Sequence, residues 1–361
     1  MHASMNQSFA APEDRGVHLT QEMKAILRVP YVLRHVPVSA ITSLLPYSHA
    51  PAPGDIALAR LEKIGKNTRL ELASGRACEL HVGDLMAVVF GNRYATHQFE
   101  GYAESDKDAC DLLSMGGVCG IVKSRNERVP EPSKLRLVGL LGDAKGRPLR
   151  LCDFVPPEST AAAWPFVAVV CGSAMDSGKT HTAVHMILGL QRGRRRVASV
   201  KLTGTAAGRD LWKATDTGAC AALDFVDGGY PSTYLCSLGE LLALHRRLIS
   251  HAASKGADWV VVEIADGLLQ PETSHLLKSP TFRETVDAWV FTTCDALGAV
   301  GGLSLLKQWG ITPAAISGLI STSPLAMREA HAATGVQCVT AEQLASGSLN
   351  DLLLELAGNR D

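Results

Sequence analysis

One short loop, together with the segments on either side of it, constrains the fold of this chain more than any other feature. The stretch VVCGSAMDSGKTHTAVHMILGL, residues 169–190, begins as an apolar run, passes through small residues and resumes at helical spacing after Gly178. Apolar runs without alternation are typical of strands that are buried on both faces. A buried strand, a loop of small residues and a helix that opens at Gly-Lys-Thr form the setting of a phosphate-binding loop.

The rest of the chain shows two different patterns. Residues 166–361 alternate short apolar runs with helical segments, which predicts an α/β fold, a P-loop type of doubly wound and mainly parallel sheet. Residues 51–155 contain short strands broken by Gly, Asn and Asp, which predict a small, mostly β domain before it. Residues 156–165 are rich in proline and alanine and are predicted to form a linker, and residues 1–50 an N-terminal extension that is partly disordered.

Composition narrows the class of partner. The 361 residues carry 35 basic and 36 acidic side chains, so a nucleic acid or an anionic membrane surface is not expected as a partner. The nine cysteines never occur as C-x-x-C, the N-terminus lacks the apolar core of a signal peptide, and no apolar run approaches the length of a membrane span. We therefore expect reduced thiols in a cytoplasmic protein without membrane or nucleic-acid contacts.

The loop predicts a role for each of its residues. Backbone N–H groups of the loop and of the first helical turn would face an anion. Lys179 would reach the β- and γ-phosphates, the Thr180 hydroxyl would bind Mg²⁺, and Gly178 would allow a close approach of the backbone. A strict motif has glycine where this chain has Ser173, with Gly172 one residue earlier. The expected cofactor-binding residues are Gly172, Ser173, Ala174, Met175, Asp176, Ser177, Gly178, Lys179, Thr180 and His181.

The spacing G-x-x-x-D-x-G-K-T resembles the loop of the dethiobiotin synthetase family. The segment VKLTGT is similar to that family's K-P-x-x-T/S-G, and the resemblance implies that Lys201 is a second lysine over the phosphates. The late segment TTCDALGAVGGLSLLKQWGITPAAISGLIS is similar to the part of the family that faces the nucleotide base. The resemblance covers residues 166–340, about half the chain, and extends to a wider group of P-loop enzymes that includes cobyrinate amide synthases and accessory GTPases.

The same resemblance implies a metal site made of three oxygen ligands. Besides Thr180, it implies Asp216 in KATDTGA and Glu263 in DWVVVEIADG as magnesium ligands. Carboxylates and hydroxyls are also the ligands that Mg²⁺ prefers on chemical grounds. Asp210 is the main alternative to Asp216, and a strand-end carboxylate that caps the next turn is the alternative for Glu263.

Further carboxylates follow predicted strands. Asp224 and Asp227 lie in LDFVDGGYPSTYL, and Asp266 lies beside Glu263. At the carboxyl edge of an open parallel sheet such groups face the ligand crevice. We therefore expect a substrate-binding or catalytic role for all three together with Lys179 and Lys201, with a hydrogen-bonded turn as the alternative for LDFVDGGYPSTYL.

Two other patterns permit more than one interpretation. His181 and His185 have the spacing of zinc ligands on a helix, but no third ligand is apparent, so helix packing is favoured. The segment GNRYATHQFEG, residues 91–101, crowds Arg, Tyr, His and Glu after a strand. It suits either a substrate-facing lip or a domain interface.

Three functions are compatible with these residues. The resemblance implies an enzyme that uses ATP, with GTP as the alternative, and Mg²⁺ to activate a small carboxylate or amino acid, as a ligase or kinase-like transferase. The second is a switch-type NTPase or metallochaperone-like accessory protein whose hydrolysis drives a protein partner. The third is a module that holds nucleotide as a structural ligand, which the intact Lys179-Thr180 pair disfavours. A homodimer is compatible with all three.

Overall fold

The computed structural model describes residues 16–47, 49–158 and 163–358. They form two compact units. The first unit runs to Pro156 and also takes in the two later segments Thr205–Gly208 and Val226–Tyr234. The second unit contains the remaining residues, from Pro157 to the end of the chain.

These units differ in detail from the boundaries predicted from sequence. The predicted extension at residues 1–50 contributes strands to the sheet of the first unit from Val17 onward, while residues 1–15 lie outside the described residues. Residues 159–162 of the predicted linker also lie outside them. The two later segments belong to the first unit because they contact residues that are distant from them in sequence. A local sequence pattern contains no information about such contacts.

Within the described residues, the first unit is mostly β structure and has one short α-helix. Its strands and helix are β1 (Val17–His18), α1 (Gln21–Ile26), β2 (Ser43–Leu45), β3 (Ile56–Lys63), β4 (Arg69–Glu71), β5 (Ala77–Glu79), β6 (Leu85–Phe90), β7 (Arg93–Tyr94), β8 (Phe99–Tyr102), β9 (Ala109–Leu112), β10 (Val118–Arg125) and β11 (Ser133–Gly142).

Five of these strands close into a ring. β11 pairs with β3, β3 with β6, β6 with β10, β10 with β9, and β9 with β11 again, and only the β6–β10 pair is parallel. Closure removes exposed strand edges and encloses a core to which Val88, Phe90, Leu112 and Leu135 belong. The first unit is therefore a small barrel, and the prediction of a mostly β domain is confirmed.

The second unit alternates strands and helices. They are β12 (Phe166–Gly172), α2 (Lys179–Arg192), β13 (Val197–Lys201), α3 (Arg209–Asp216), β14 (Ala222–Asp224), α4 (Leu238–Ser254), β15 (Trp259–Glu263), α5 (Pro271–Lys278), α6 (Pro280–Arg283), β16 (Ala288–Thr292), α7 (Ala296–Gln308), β17 (Ala315–Ser317), α8 (Pro324–Thr334), α9 (Ala341–Ser346) and α10 (Asn350–Gly358).

These strands form one parallel sheet in the order β14-β13-β15-β12-β16-β17, which confirms the predicted P-loop α/β fold. Apolar side chains such as Val170, Ile187, Trp259 and Val290 are buried between the sheet and its helices. Because every strand runs the same way, the loops after β12, β13 and β15 emerge at one edge of the sheet. That edge carries the candidate site.

No helix among the described residues is long and apolar enough to cross a membrane. All nine cysteines lie in that part of the chain, and each is a free thiol there.

Candidate functional site

The loop between β12 and α2 is fixed by its neighbours in the sheet. Its Ser173 N–H donates to the Thr292 carbonyl at 2.9 Å, and the hydroxyls of Ser177 and Thr292 lie 2.7 Å apart in a buried hydrogen bond. On the far side, the Leu319 N–H donates to the Ser177 carbonyl at 3.1 Å. The end of β16 and the turn after β17 therefore hold the loop in place.

Gly178 ends the loop in a conformation that favours glycine. Its φ is 99°, and a Cβ added there would lie 2.8 Å from Cα of Gly318. The left-handed backbone and the contact with the turn after β17 both exclude a side chain. The sequence predicted that Gly178 lets the backbone approach a ligand, whereas the structure shows a packing contact that by itself requires glycine.

A cavity of about 350 Å³ lies at this edge of the sheet. It combines four cationic and four acidic side chains with the residues of the loop. Its lining is Met175, Asp176, Gly178, Lys179, Thr180, His181, Lys201, Arg209, Asp210, Lys213, Glu263, Ala265 and Asp266. Most of the residues that the sequence assigned to cofactor, metal or catalysis therefore come together here.

Two of the three lysines that line the cavity, Lys179 and Lys201, were predicted from the sequence. Lys179 is only 6% exposed, and its Nζ donates to the Ala174 carbonyl at 2.7 Å. Burial lowers the pKa of Lys179. Burial also lowers that of Lys201, but the charges of Glu263 and Asp210 outweigh it and raise the pKa of Lys201 well above its ordinary value. Lys201 is therefore held as a cation.

Two carboxylates and a hydroxyl face these lysines. Thr180 Oγ1 donates to Glu263 Oε1 at 2.9 Å, and the Asp210 carboxylate forms an ion pair with Lys201 Nζ. Burial raises the pKa of Glu263, which is 7% exposed. Burial acts in the same direction on Asp210, but Lys201 reverses it and the pKa of Asp210 is lowered. β13 and β15 pair with Lys201 opposite Glu263, which explains how residues so distant in sequence meet.

Asp216 is the predicted metal ligand that the structure does not bring to the cavity. It is exposed at the last position of α3, whereas Asp210, near the start of the same helix, lines the cavity. Because a helix turns about 100° per residue, two residues six positions apart lie about 120° apart around its axis. Only one of the two can face the site, and it is Asp210.

Asp224 and Asp227 are separated by the fold. Asp224 is buried at the end of β14, in register with Lys201, and does not line the cavity. Asp227 belongs to the first unit, where it accepts hydrogen bonds from Arg34 Nη2 and His35 Nε2, both at 2.7 Å. The segment LDFVDGGYPSTYL was predicted to face the ligand crevice of the parallel sheet. The structure places residues 226–234, which make up most of this segment, in the first unit.

Asp266 does line the cavity, in the loop after β15. Its φ is 63°, and the preceding Ala265 N–H donates to Thr203 Oγ1 at 2.8 Å. The following Gly267 packs so closely on the phosphate-binding loop that an added Cβ would lie 2.4 Å from the Ser173 carbonyl oxygen. The loop after β15 is thereby held against both the loop after β12 and the one after β13.

The paired histidines form a contact within their helix. The rings of His181 and His185 have centroids 4.1 Å apart, and burial, His185 and Lys213 lower the pKa of His181. Within the described residues no three His, Cys, Asp or Glu side chains are grouped so that they could hold a metal. His181 lines the cavity and His185 does not.

Two cations of the cavity escaped the sequence analysis. Arg209 and Lys213 both line it from α3. They are four residues apart, and this spacing places two side chains on one face of a helix. Because Asp210 was already a candidate ligand on the same predicted helix, the spacing of these two cations is the signal that could have indicated them.

No protein-family model and no curated protein matches this sequence. Among solved structures, the signal recognition particle 54 kDa protein of Aeropyrum pernix K1, in complex with GDP, is 19% identical with a TM-score of 0.37, over 56% of this chain and 50% of that one. The cell division protein FtsY of Thermotoga maritima is 17% identical with a TM-score of 0.37, over 55% of this chain and 70% of that one.

The signal recognition particle receptor FtsY of Elizabethkingia anophelis is 14% identical with a TM-score of 0.36, over 55% of this chain and 68% of that one. This chain thus spans half the length of the first of these proteins. Dethiobiotin synthetase is not among the three. The P-loop NTPase fold rests on the strand order and the loop geometry described above.

Proposed function

We propose that the second unit binds a nucleoside triphosphate with Mg²⁺ and hydrolyses it as a conformational switch that acts on a protein partner. The observation that carries the nucleotide site is the meeting of Lys179, at the start of α2, with Lys201 and Glu263, at the ends of β13 and β15, around one cavity. Phosphoryl transfer requires little covalent chemistry from a protein, so positioned charge is the main contribution that this site can make.

The lysines and the loop backbone suit a polyphosphate. Lys179 follows the loop directly, and the N-terminus of the 14-residue helix α2 adds the favourable end of its dipole. Lys201 brings a second positive charge from the neighbouring part of the sheet. We infer that Lys179 and Lys201 stabilise the charge that develops on the terminal phosphate oxygens.

The oxygen groups fit magnesium. Thr180 and Glu263 are already in hydrogen-bonding contact, and the Asp210 carboxylate lies beside them. Magnesium sites of this type use only one or two carboxylates together with the phosphates of the substrate, so a complete protein cage is not needed. When bound, Mg²⁺ would supply positive charge that neutralises the phosphates of the substrate. Thr180, Glu263 and Asp210 are the residues that would hold it.

Asp266 is the proposed positioning residue for the attacking water. It lines the cavity beside Glu263 on a loop whose backbone is fixed by Thr203. A carboxylate in this place can accept a hydrogen bond from water and orient one of its lone pairs.

Two features favour a switch over a ligase. Of the three acidic residues expected to surround a small acceptor, only Asp266 lines the cavity, while Asp227 is engaged in the first unit. The loops after β13 and β15 are also linked, since the Leu202 N–H donates to the Glu263 carbonyl at 2.9 Å and Ala265 N–H bonds Thr203. A change at the terminal phosphate would therefore move both loops together, which is what a switch requires.

The second candidate is the ligase implied by the resemblance to dethiobiotin synthetase. It is supported by Arg209 and Lys213, two cations on the cavity wall that suit a substrate carboxylate. The resemblance itself rests on the loop spacing, on Lys201, on Asp216 and Glu263, and on the late segment at residues 292–321.

One experiment separates the two candidates. Phosphate release is measured with ATP and with GTP, each nucleotide alone and in the presence of a panel of amino acids and small dicarboxylates. The masses of the products are determined by mass spectrometry. Lys179→Ala should abolish turnover, and Asp216→Asn, an exposed change outside the cavity, is the matched control that should leave it unchanged.

A switch predicts slow hydrolysis and no new product mass with any small molecule. A phosphorylated or condensed product would replace the switch with the ligase. Unchanged turnover in Lys179→Ala would contradict both, because each depends on the same phosphate site.

A further inference from the structure

Two segments that the proposed function leaves unused meet in the first unit. They are GNRYATHQFEG, residues 91–101, and residues 226–234 of LDFVDGGYPSTYL. Asn92 links them, because its Nδ2 donates to the Tyr234 carbonyl at 3.4 Å and its Oδ1 accepts the Ala103 N–H at 2.9 Å. Three tyrosines and one glutamate come together at this point, and we refer to them as the tyrosine–glutamate cluster: Tyr94, Glu100, Tyr102 and Tyr234.

Strand register places three members of the cluster on one face of the sheet. β7 and β8 pair antiparallel with Tyr94 opposite Glu100, and Tyr102 lies two residues beyond Glu100 on β8, so all three share a face. Tyr234 adds a third ring, whose centroid lies 5.4 Å from that of Tyr94 and 6.1 Å from that of Tyr102. Tyr234 therefore packs against both of the other rings.

Glu100 is the charged member of the cluster. Its Oε1 accepts hydrogen bonds from the hydroxyls of Tyr102 at 2.8 Å and Tyr234 at 3.0 Å. Burial and the hydrogen bonds with Tyr102 and Glu100 raise the pKa of Tyr234, so its hydroxyl keeps the proton that it donates. Both hydroxyls use the same oxygen, and no group within the described residues donates to Oε2 of Glu100.

The cations on the neighbouring strand are engaged with other carboxylates. β10 pairs with β8, and its Lys123 and Arg125 form ion pairs with Glu104 and Glu131, both at 2.7 Å. The four side chains of the cluster are half-buried, so a ligand from solvent can reach them. A partly buried carboxylate is stabilised by a nearby positive charge, and the faces of tyrosine rings attract cations. The cluster therefore favours a cation as its ligand.

The hydrogen-bonding pattern narrows the class of cation. A metal ion needs more ligands, and no three His, Cys, Asp or Glu side chains in the described part of the chain are grouped to hold one. A guanidinium prefers both oxygens of a carboxylate, but Oε1 of Glu100 already accepts two hydroxyls. A protonated amine has N–H groups for Oε2 alone, and its alkyl stem can lie against the rings.

We propose that the tyrosine–glutamate cluster is a binding site for an alkylammonium ion, whose N–H groups donate to Glu100 Oε2 and whose charge lies against the tyrosine rings. The proposal does not depend on the nucleotide site, because every member of the cluster belongs to the first unit.

The test is an NMR titration of the full chain with ¹³C-labelled tyrosine rings and without nucleotide. Butylamine represents a free amine, and Nα-acetyl-lysine amide represents a lysine side chain of a protein. At least one of them should shift the ring signals of the cluster and leave those of Tyr31 and Tyr47, which lie outside it, unchanged. The probe that binds more tightly identifies the source of the ammonium group.

Three further probes test the class of ligand. Butan-1-ol is the neutral analogue of butylamine, tetramethylammonium carries the charge without an N–H group, and guanidinium offers a planar pair of donors. Butan-1-ol that binds as tightly as butylamine would overturn the role of charge. Tetramethylammonium or guanidinium that binds more tightly than both amines would overturn the assigned class. Absence of ring shifts with both amines would overturn the site.

Glu100→Gln is the decisive variant. It keeps an oxygen that can accept from the two tyrosine hydroxyls and removes the charge, so it should weaken binding of the amine by about tenfold or more. Glu127→Gln, an exposed glutamate of the same unit outside the cluster, is the matched control and should change nothing. Binding that Glu100→Gln leaves unchanged would contradict the proposal.

Two substitutions of Tyr102 separate the ring from its hydroxyl. Tyr102→Phe keeps the aromatic face and should weaken binding by about twofold, whereas Tyr102→Leu removes that face and should weaken it by about tenfold. Equal binding by the two variants would refute the contribution of the rings. Circular dichroism melting curves establish that each variant is folded, and if Tyr102→Leu is not, Glu100→Gln decides.

Discussion

The turn after β17 supports the phosphate-binding loop, and Gly318 is the residue at which this support can be tested. Its φ is 92° and its ψ is −152°, a region that is essentially restricted to glycine. A Cβ added there would lie 2.2 Å from the Ser177 carbonyl oxygen and 2.9 Å from Cβ of Thr292. Gly318→Ala therefore combines backbone strain with a clash against the loop, although Gly318 does not line the cavity.

The expected cost follows from these two effects. A side chain in such a backbone conformation costs about 1–3 kcal/mol. Overpacking against atoms that cannot turn away costs about 1–3 kcal/mol more, because the nearest one belongs to the backbone. The free energy of unfolding of the second unit should therefore fall by about 2–6 kcal/mol, a large part of the stability of an ordinary domain.

Tryptophan fluorescence during urea unfolding measures this change in the right unit. All five tryptophans, at positions 164, 212, 259, 289 and 309, lie in the second unit. Nucleotide affinity is measured in parallel, and Gly318→Ala should raise the nucleotide Kd by about tenfold, because Ser177 must move to admit the methyl group.

Gly301→Ala is the matched control. It lies within α7, and a Cβ there would meet nothing within 4 Å. It should leave nucleotide affinity unchanged and stabilise the unit by about 0.4–1 kcal/mol. If Gly318→Ala unfolds and binds nucleotide like the wild type, the support that we assign to this turn does not exist.

Three further predictions concern the second unit. Lys179→Ala should lose most of the stabilisation by Mg²⁺-nucleotide, which in the wild type amounts to about 2.7 kcal/mol at a hundred times Kd, and a melting shift equal to that of the wild type would refute its role. Glu263→Gln should raise the Mg²⁺ concentration needed for turnover by about tenfold, whereas Asp216→Asn should not, and metal titrations at fixed nucleotide decide between them. Burial lowers the pKa of His245 from 6.5 to about 3, so its contribution to stability is complete above pH 6.5 and is lost as the pH falls towards 3. Between pH 6.5 and pH 5 this loss amounts to about 2 kcal/mol, which His245→Gln should abolish in urea unfolding, and an equal pH dependence in the variant would contradict it.

The sequence alone determined the features that are encoded locally. The apolar strand, the loop of small residues and the helix that opens at Lys179 occupy one continuous stretch, and the structure reproduces them as β12 and α2. The parallel α/β class was predicted in the same way. A strand that is buried on both faces is a continuous apolar run, and a few consecutive residues are enough to show it. The resemblance implied Lys201 and Glu263, and the structure shows that both end their strands at the one edge where all strands of a parallel sheet end.

Tertiary structure decided what depends on the direction of a side chain and on contacts between distant segments. Asp210 rather than Asp216 faces the cavity, because the two lie on different faces of α3. Asp227, which follows a strand of the second unit closely in sequence, belongs to the first unit through Arg34 and His35, nearly two hundred residues earlier. Spacing along a chain specifies which residues share a strand or a helix, but the choice between two neighbouring carboxylates is made by the packing of whole elements, which no local pattern contains.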